Sequence, residues 1–386
     1  MIYPYLSIYI IALGAQKSEL GLITSIGMLI AGLLGPITGR LIDWHGPKKI
    51  YIAGISMLII AYATYALAPS WQICAVAMII YFLGQGTGIH SCSTICGNCL
   101  ENCDRAKGMM ICESIAAGLL GMAGPMLAAF ILVRLMGVTG SPSNPADIRP
   151  LFIAPLVTAF ISLVIVVALL SNKRTASKSN FGSHILKDGL EILKGNRVAK
   201  KWIAISAITY MPAGMVLPFV QVFAEESKGA SVVMLGTMVM AAAITSILFG
   251  FPIGALADKI GRKKVLYITM PLFCLSNIIL IVAPSPAFLV IAGILQGFYS
   301  IGSPISASIE RELVSAEKMG RWIGLNRMTK AVVGAIMAVI SGVIYDKFGA
   351  QYIFLIYVGI ELFVQIPLLM SIPETLKKKE IPGDVS

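Results

Sequence analysis

One segment occurs twice in this chain, and the repetition limits the fold more than any other feature. Gly39, Arg40, Leu41, Ile42, Asp43, Trp44, His45, Gly46, Pro47, Lys48 and Lys49 return 215 residues later as Gly254, Ala255, Leu256, Ala257, Asp258, Lys259, Ile260, Gly261, Arg262, Lys263 and Lys264. Each copy closes a long apolar run, breaks at an aspartate and a glycine, presents at least two cations and opens the next apolar run. Such a segment reads as a tight hairpin between two membrane helices. The glycines permit close approach and left-handed backbone, the aspartate caps or pairs with a neighbouring helix end, and the cations hold the turn on the cytoplasmic side.

Composition agrees with a polytopic membrane protein and excludes an ordinary soluble globule. Of the 386 residues, 57% are hydrophobic and 13% charged, and the mean hydropathy is +0.85. A net charge of +11 would point to nucleic acid in a soluble domain. With the Asp43 turn taken as cytoplasmic, however, 23 of the 30 Lys and Arg fall at cytoplasmic ends, about five at external ends, and Arg327 and Lys330 inside a helix. The basic excess is therefore read as topology. The seven cysteines do not read as a disulfide framework. Cys92, Cys96, Cys99 and Cys103 share one helix stripe, open to a soft-metal reading or to close helix packing. That stripe is about 16 Å long at 1.5 Å per residue, so one ion reaches at most two neighbouring thiols.

Twelve apolar segments follow one another. The first, Met1 to Gly14, is too short to span; Pro4, Tyr5, Tyr9 and Gly14 answer to Pro218, Phe219, Phe223 and Gly229, and comparison with that partner leads us to expect about 14 further residues ahead of Met1. Helix 2, about Ser18 to Ile42, carries Gly21, Ser25, Met28, Gly32, Gly35 and Gly39 as one continuous small face, and helix 8 repeats it with Gly236, Met240, Ala243, Ile247, Gly250 and Gly254. Helices 3 (Ile50 to Ala68) and 9 (Val265 to Ala283) read as lipid-facing supports. Helix 4 runs from about Trp71 to Leu100, helix 5 from Gly108 to Leu135 with a break at Gly124 and Pro125, and helix 6 from Pro150 to Leu170. Helices 7, 10, 11 and 12 are expected near Trp202 to Ala224, Ala287 to Ile309, Arg321 to Tyr345 and Tyr352 to Ile372. These give a six-helix half at 1–171, a cytoplasmic linker at 172–201, a second half at 202–373 and a cytoplasmic tail at 374–386. Within the linker, Ile185, Leu186, Leu190 and Leu193 form an amphipathic stretch suited to the membrane surface.

With these elements in place the chain resembles the major facilitator superfamily of transporters over nearly its whole length. The resemblance rests on Gly39, Asp43, Gly46, Lys48 and Lys49, and more fully on Gly254, Asp258, Gly261, Arg262 and Lys263, the family signature between its second and third helices of each half. It implies an all-α membrane fold of two pseudo-symmetric six-helix halves, acting by alternating access as a monomer. Gly121, Gly124 and Pro125 resemble the helix 5 motif of the family's proton-driven drug antiporters, which implies efflux. Two positions depart from the pattern. Pro47 stands where an arginine is usual, leaving Lys48 with Glu101 or Asp104 to form the charge relay, and Phe82 stands where antiporters carry a helix 4 arginine.

Ionisable groups at membrane depth cost roughly 2.5–3.5 kcal/mol each on insertion scales, so each is a functional candidate. Glu113, Arg327, Lys330 and Glu361 are the candidates, with Gln365 one turn beyond Glu361. Glu113 is either interfacial or functional. Glu361 is expected to turn inward, either as a structural ion pair with Lys330 or as a proton-titrating carboxylate. His90 reads as a packing residue, and His45 and His184 fall in cytoplasmic connections. On the family pattern the central cavity is lined by Tyr5, Tyr9, Gln85, Tyr210, Met211, Met215, Gln221, Gln296, Tyr299 and Ser303, groups suited to bulky amphipathic organic solutes. No hydrolase triad, metal-binding helix or nucleotide loop is read, so neither enzyme nor cofactor is expected. The expectation is a cell-membrane secondary transporter that exports small organic molecules against protons. An uptake symporter or facilitator for an organic anion, held by Arg327 and Lys330, and a non-transporting sensor on the same scaffold stand as alternatives.

Overall fold

The computed structural model describes residues 3–99, 117–135, 137–138, 140, 144–170, 193, 197–313 and 319–374, which form twelve helical segments and no strand. The first six are α1 (Tyr3–Ala12), α2 (Lys17–His45), α3 (Pro47–Leu67), α4 (Trp71–Cys99), α5 (Ala117–Phe130, continued by a π-turn at Ile131–Leu135) and α6 (Pro145–Leu169). The other six are α7 (Arg197–Lys228, interrupted between Met215 and Leu217), α8 (Val232–Ile260), α9 (Arg262–Val282), α10 (Pro286–Leu313), α11 (Met319–Phe348) and α12 (Ala350–Met370, with a π-turn at Glu361–Gln365). Among the described residues, nine helices are long and apolar enough to cross a membrane. The 29 residues of α2 reach about 44 Å, ample for a hydrocarbon core of ~30 Å.

The backbone carries the repeat. The glycines with positive φ form three pairs, Gly14 (94°) with Gly229 (61°), Gly46 (85°) with Gly261 (116°), and Gly137 (70°) with Gly349 (109°), and no other described residue has positive φ. Each sits at the close of a helix, where a left-handed residue ends the helical hydrogen bonding, and a side chain there would be strained. Gly46 and Gly261 make the two hairpins so tight that α2 passes to α3, and α8 to α9, through one residue. The membrane side bearing them is called the hairpin face below.

Within the first half α3 packs on α4 and α6, and α2 on α4; within the second α9 packs on α10 and α12, and α8 on α10. The halves meet through α2 against α11, α5 against α8, and α1 against α7. The small face of α2 does receive another helix. A Cβ on Gly21 would collide with the Ala338 carbonyl, and one on Gly32 with the Ala331 side chain, so α2 and α11 touch backbone to backbone. On the equivalent face of α8, a Cβ on Gly236 at the far end would sit 3.0 Å from the Tyr5 hydroxyl and 3.2 Å from Ala129 of α5. Toward the hairpin face, a Cβ on Gly250 or Gly254 would meet nothing within 4 Å among the described residues.

Buried apolar groups show the same asymmetry. Away from the hairpins one cluster joins both halves, with Tyr5, Tyr9 and Phe152 on one side and Phe219, Phe223 and Phe354 on the other. A second cluster, around Trp202, Ile305, Trp322 and Leu369, belongs to the second half alone among the described residues. The support role expected of helices 3 and 9 holds unevenly. Only 22% of α3 is buried and most of the rest is partly covered, whereas half of α9 is buried, including Thr269, Ser276 and Asn277, because it packs on both α10 and α12. The linker stretch at 185–190, Glu101, Cys103, Asp104 and Glu113 lie outside the described residues.

Candidate functional site

The two hairpins act first as anchors inside their own halves. Lys48 Nζ donates to the Val167 carbonyl in the last turn of α6 at 3.0 Å. Its repeat mate Lys263 donates to the Met370 and Ile372 carbonyls at the end of α12, at 3.1 and 2.5 Å. A helix C-terminus has unpaired carbonyls and partial negative charge, so a lysine is favoured there. Lys48 thus caps α6; its expected acidic partners, Glu101 and Asp104, fall outside the described residues. In the second hairpin Asp258 is largely exposed and accepts from Arg262 at 3.4 Å, and Glu374 accepts the Lys263 backbone N–H at 3.4 Å. Lys49 is exposed and a Cβ on Gly254 would meet nothing among the described residues, while the Gly39 and Asp43 positions are described only as parts of α2. Gly121, Gly124 and Pro125 lie in α5, and the Pro125 carbonyl is 3.2 Å from the Cβ position of Gly236, placing the helix 5 motif on the contact between halves.

Opposite the hairpins the halves are latched. Lys17 Nζ, at the start of α2, lies 2.9 Å from Glu226 Oε1 at the end of α7 and 5.7 Å from the centre of the Tyr345 ring of α11. Tyr345 donates its hydroxyl to Glu226 Oε2 at 3.1 Å. Asp346 accepts the backbone N–H groups of Lys17 and Ser18 at 3.3 and 2.8 Å, capping α2 from the other half. None of these residues was singled out from the sequence, because their pairing joins positions up to 329 residues apart.

The residues expected on a central cavity divide into two groups. Tyr5, Tyr9, Met211, Met215 and Gln221 are buried. Tyr5 donates across the halves to the Val232 carbonyl at 3.2 Å, and Tyr9 donates to the Tyr65 carbonyl at 3.0 Å beneath Arg149, so both hydroxyls are spent at the closed end. Gln85, Tyr210, Gln296, Tyr299 and Ser303 are partly or largely exposed. Tyr210 meets Met28 of α2 around Gly334 of α11, where a Cβ would sit 3.4 and 3.0 Å from them, bringing both halves to one point. Gln85 Nε2 donates to the Tyr81 hydroxyl at 3.0 Å, and Tyr81 packs on Tyr62 and Phe82. At Phe82, where an arginine was the family expectation, the ring lies against Gly27 of α2. In the second half Phe273 packs on Tyr299 and Tyr357, with ring centroids at 4.9 and 5.4 Å. Each half thus holds one aromatic wall.

The buried charges pair differently from expectation. Lys330 Nζ lies 3.2 Å from Glu310 Oε1 of α10, and the expected pair with Glu361 is not formed. Asn326 Nδ2 donates to the same Glu310 oxygen at 2.6 Å, and the Ser206 hydroxyl donates to Asn326 Oδ1, so α7, α10 and α11 share one network. Glu310 escaped notice because helix 10 was expected to end at Ile309, whereas α10 continues to Leu313. Arg327 is exposed and has no ion-pair partner among the described residues. Glu361 does turn inward, at 2% exposure, where Tyr357 donates to its Oε2 at 3.0 Å. No group of three or more His, Cys, Asp or Glu converges on a metal-sized point among the described residues.

Against this geometry, the family profile described as Major Facilitator Superfamily matches residues 1–223 and again 202–385. An uncharacterized transporter of Buchnera aphidicola subsp. Baizongia pistaciae (strain Bp) is 26% identical over 167 residues, 43% of this chain and 42% of that protein. The chain therefore spans well under half the length of the first curated relatives it matches. Multidrug resistance protein MdtG of Dickeya zeae (strain Ech586) is 21% identical over 369 residues, 92% of this chain and 86% of that one. The crystal structure of a mutant of the nucleoside transporter NupG has the same fold, with a TM-score of 0.78 at 18% identity over 96% of this chain and 94% of that chain.

Proposed function

We propose, for a chain that belongs to the Major Facilitator Superfamily, that it is a secondary transporter exporting small organic molecules across the cell membrane by rocking its two halves, driven by protons. The observation that carries this reading is the lopsided closure between halves. Away from the hairpins the halves are sealed by the Lys17, Glu226, Tyr345 and Asp346 contacts and a shared apolar cluster, while at the other end Gly250 and Gly254 of α8 meet nothing among the described residues. A pair of rigid bodies that closes at one end and parts at the other is what alternating access needs. With the hairpin face and the linker taken as cytoplasmic, as the cation distribution favours, this conformation receives its solute from the cytoplasm.

The substrate class follows from the walls and from one relative. Tyr62, Tyr81 and Phe82 in the first half and Tyr210 and Tyr299 in the second, all partly exposed, offer aromatic faces with few fixed charges, suited to flat amphipathic solutes. The alignment with MdtG, named a multidrug resistance protein, spans most of both chains and supports export. Import of an organic anion retains one supporting observation, that Arg327 has no ion-pair partner among the described residues. Its second expected cation, Lys330, is committed to Glu310. Accumulation of a fluorescent cationic dye in cells expressing the protein, with and without a protonophore, tests the reading. Export predicts low accumulation that rises on uncoupling; higher accumulation than in control cells overturns it.

A further inference from the structure

Behind the aromatic wall of the second half lies a small chamber of about 30 Å³, lined by residues of α7, α9, α10 and α12. Its polar lining is Thr209, Thr269, Tyr299, Tyr357 and Glu361. Glu361 receives the Tyr357 hydroxyl on Oε2, and its other oxygen has no donor among the described residues. The cation that the sequence offered, Lys330, is bound to Glu310. One turn further, Gln365 is fully buried; its Nε2 donates to Thr209 Oγ1 at 2.7 Å, and its Oε1 has no partner among the described residues. Buried polar atoms are almost always satisfied, so a buried carboxyl with one donor and, one turn on, an amide oxygen with none among the described residues call for a missing positive or donating species. The two residues bound the π-turn of α12, which ends just ahead of Pro367, and such widened turns recur at functional sites.

We infer that this chamber is an ion site of the second half, taking a proton on Glu361 together with bound water. The inference rests on the proton-driven reading above and names the group that carries the proton. Uptake turns carboxylate and hydronium into carboxyl and water, and release reverses it; no other bond changes. The volume admits one or two waters, since each needs about 10–15 Å³ of such space. A bare metal cation fits poorly, because hard cations collect about six oxygens. Here Thr209 Oγ1 already accepts from Gln365 Nε2, few other oxygens line the chamber, and Phe273, Phe298, Met270 and Leu266 supply much of the remaining wall. The titratable groups facing Glu361 are Tyr357 on its own helix, Tyr299 of α10 and Cys274 of α9, with Thr209 presented by α7; no Lys, Arg or His pairs with it among the described residues. Thr209 is joined in sequence to Tyr210, which stands between the halves, so a change at Glu361 and Gln365 reaches the cleft through one turn of α7.

The test uses the purified full chain in proteoliposomes, with ethidium as the transport probe. Infrared difference spectra across a pH step should show a protonated-carboxyl band that is absent in Glu361→Gln and shifted, but present, in Tyr357→Phe. Ethidium movement should respond to an imposed pH gradient in the wild type and lose that response in Glu361→Gln. A band that persists in Glu361→Gln, or an unchanged gradient response, overturns the site. A wild type driven by a sodium gradient, with the drive lost in Glu361→Gln, replaces the proton by sodium and overturns the inference. If the band behaves as expected and the wild type ignores the pH gradient, the site stands and the proton-driven reading fails.

Discussion

Lys330 Nζ lies 3.2 Å from Glu310 Oε1, 20 residues back along the chain on α10, and Asn326 donates to the same oxygen at 2.6 Å. The pair sits where α7, α10 and α11 converge, so it fixes the second half internally and leaves Glu361 without a cation among the described residues.

Removing one member should therefore cost more than removing both. Lys330→Ala is expected to destabilise by about 2–3 kcal/mol, below the ~3–5 of a fully buried broken pair because a quarter of the lysine side chain is exposed. Lys330→Ala with Glu310→Gln should recover much of that loss, since the amide can still accept from Asn326. Thermal unfolding of Lys330→Ala, Glu310→Gln and the double variant in detergent checks this. Additive losses would mean the contact carries no coupling energy.

The paired lysines give a second expectation. Lys48→Met and Lys263→Met each remove a cap from the carbonyl end of the last helix in the same half, worth about 0.3–1 kcal/mol per helix end. Lys263 should matter more, because it serves two carbonyls where Lys48 serves one. Asp258→Asn, at an exposed residue on the moving side, should instead lower transport with little change in melting temperature. Melting curves and dye efflux rates on the three variants separate anchoring from switching. Equal melting and equal efflux across all three would reduce the hairpins to topology signals.

Much of this architecture was legible because it rests on local patterns. The hairpin repeat located Gly46 and Gly261, the small face of α2 announced a backbone-close partner, and the correspondence of Gly14 with Gly229 reappears as matched positive φ values. What the sequence did not display was which distant groups meet. Glu361 and Lys330 looked complementary because both are rare charges at membrane depth, yet one extra turn of α10 brought Glu310 closer to the lysine. The latch was equally hidden. Asp346 reads locally as the end of a helix, and nothing near it records that it caps the start of α2.

The glycine faces of α2 and α8 should respond oppositely to added bulk. In α2, Gly21→Ala sets a methyl against the Ala338 backbone, which neither side-chain rotation nor a rotamer change can relieve, and should destabilise by about 1–3 kcal/mol. In α8, Gly254→Ala meets open space here and gains up to about 1 kcal/mol of helical preference. The conformation closed at the hairpin face would need that same surface for packing, so Gly254→Ala should melt no lower than the wild type while transporting more slowly. Undiminished efflux from it would show that α8 never packs there.

The latch yields the last expectation, because it joins the halves at the face that would part in the proposed cycle. Asp346 offers two acceptors to the unpaired first-turn N–H groups of α2, an arrangement worth about 1 kcal/mol as a helix cap, and the partly exposed Lys17–Glu226 pair adds about 0.2–1 kcal/mol. Asp346→Ala combined with Lys17→Met should therefore weaken closure by about 1–2 kcal/mol, enough to change the ratio of the two conformations roughly 5- to 30-fold. Spin labels on the ends of α2 and α7 at this face should then report a longer distance in a larger fraction of molecules. The exchange Lys17→Glu with Glu226→Lys reverses the ion pair but sets a carboxylate beside the Asp346 cap, so it should restore closure only in part. Full restoration would show that the ion pair, and not the cap on α2, holds the face shut.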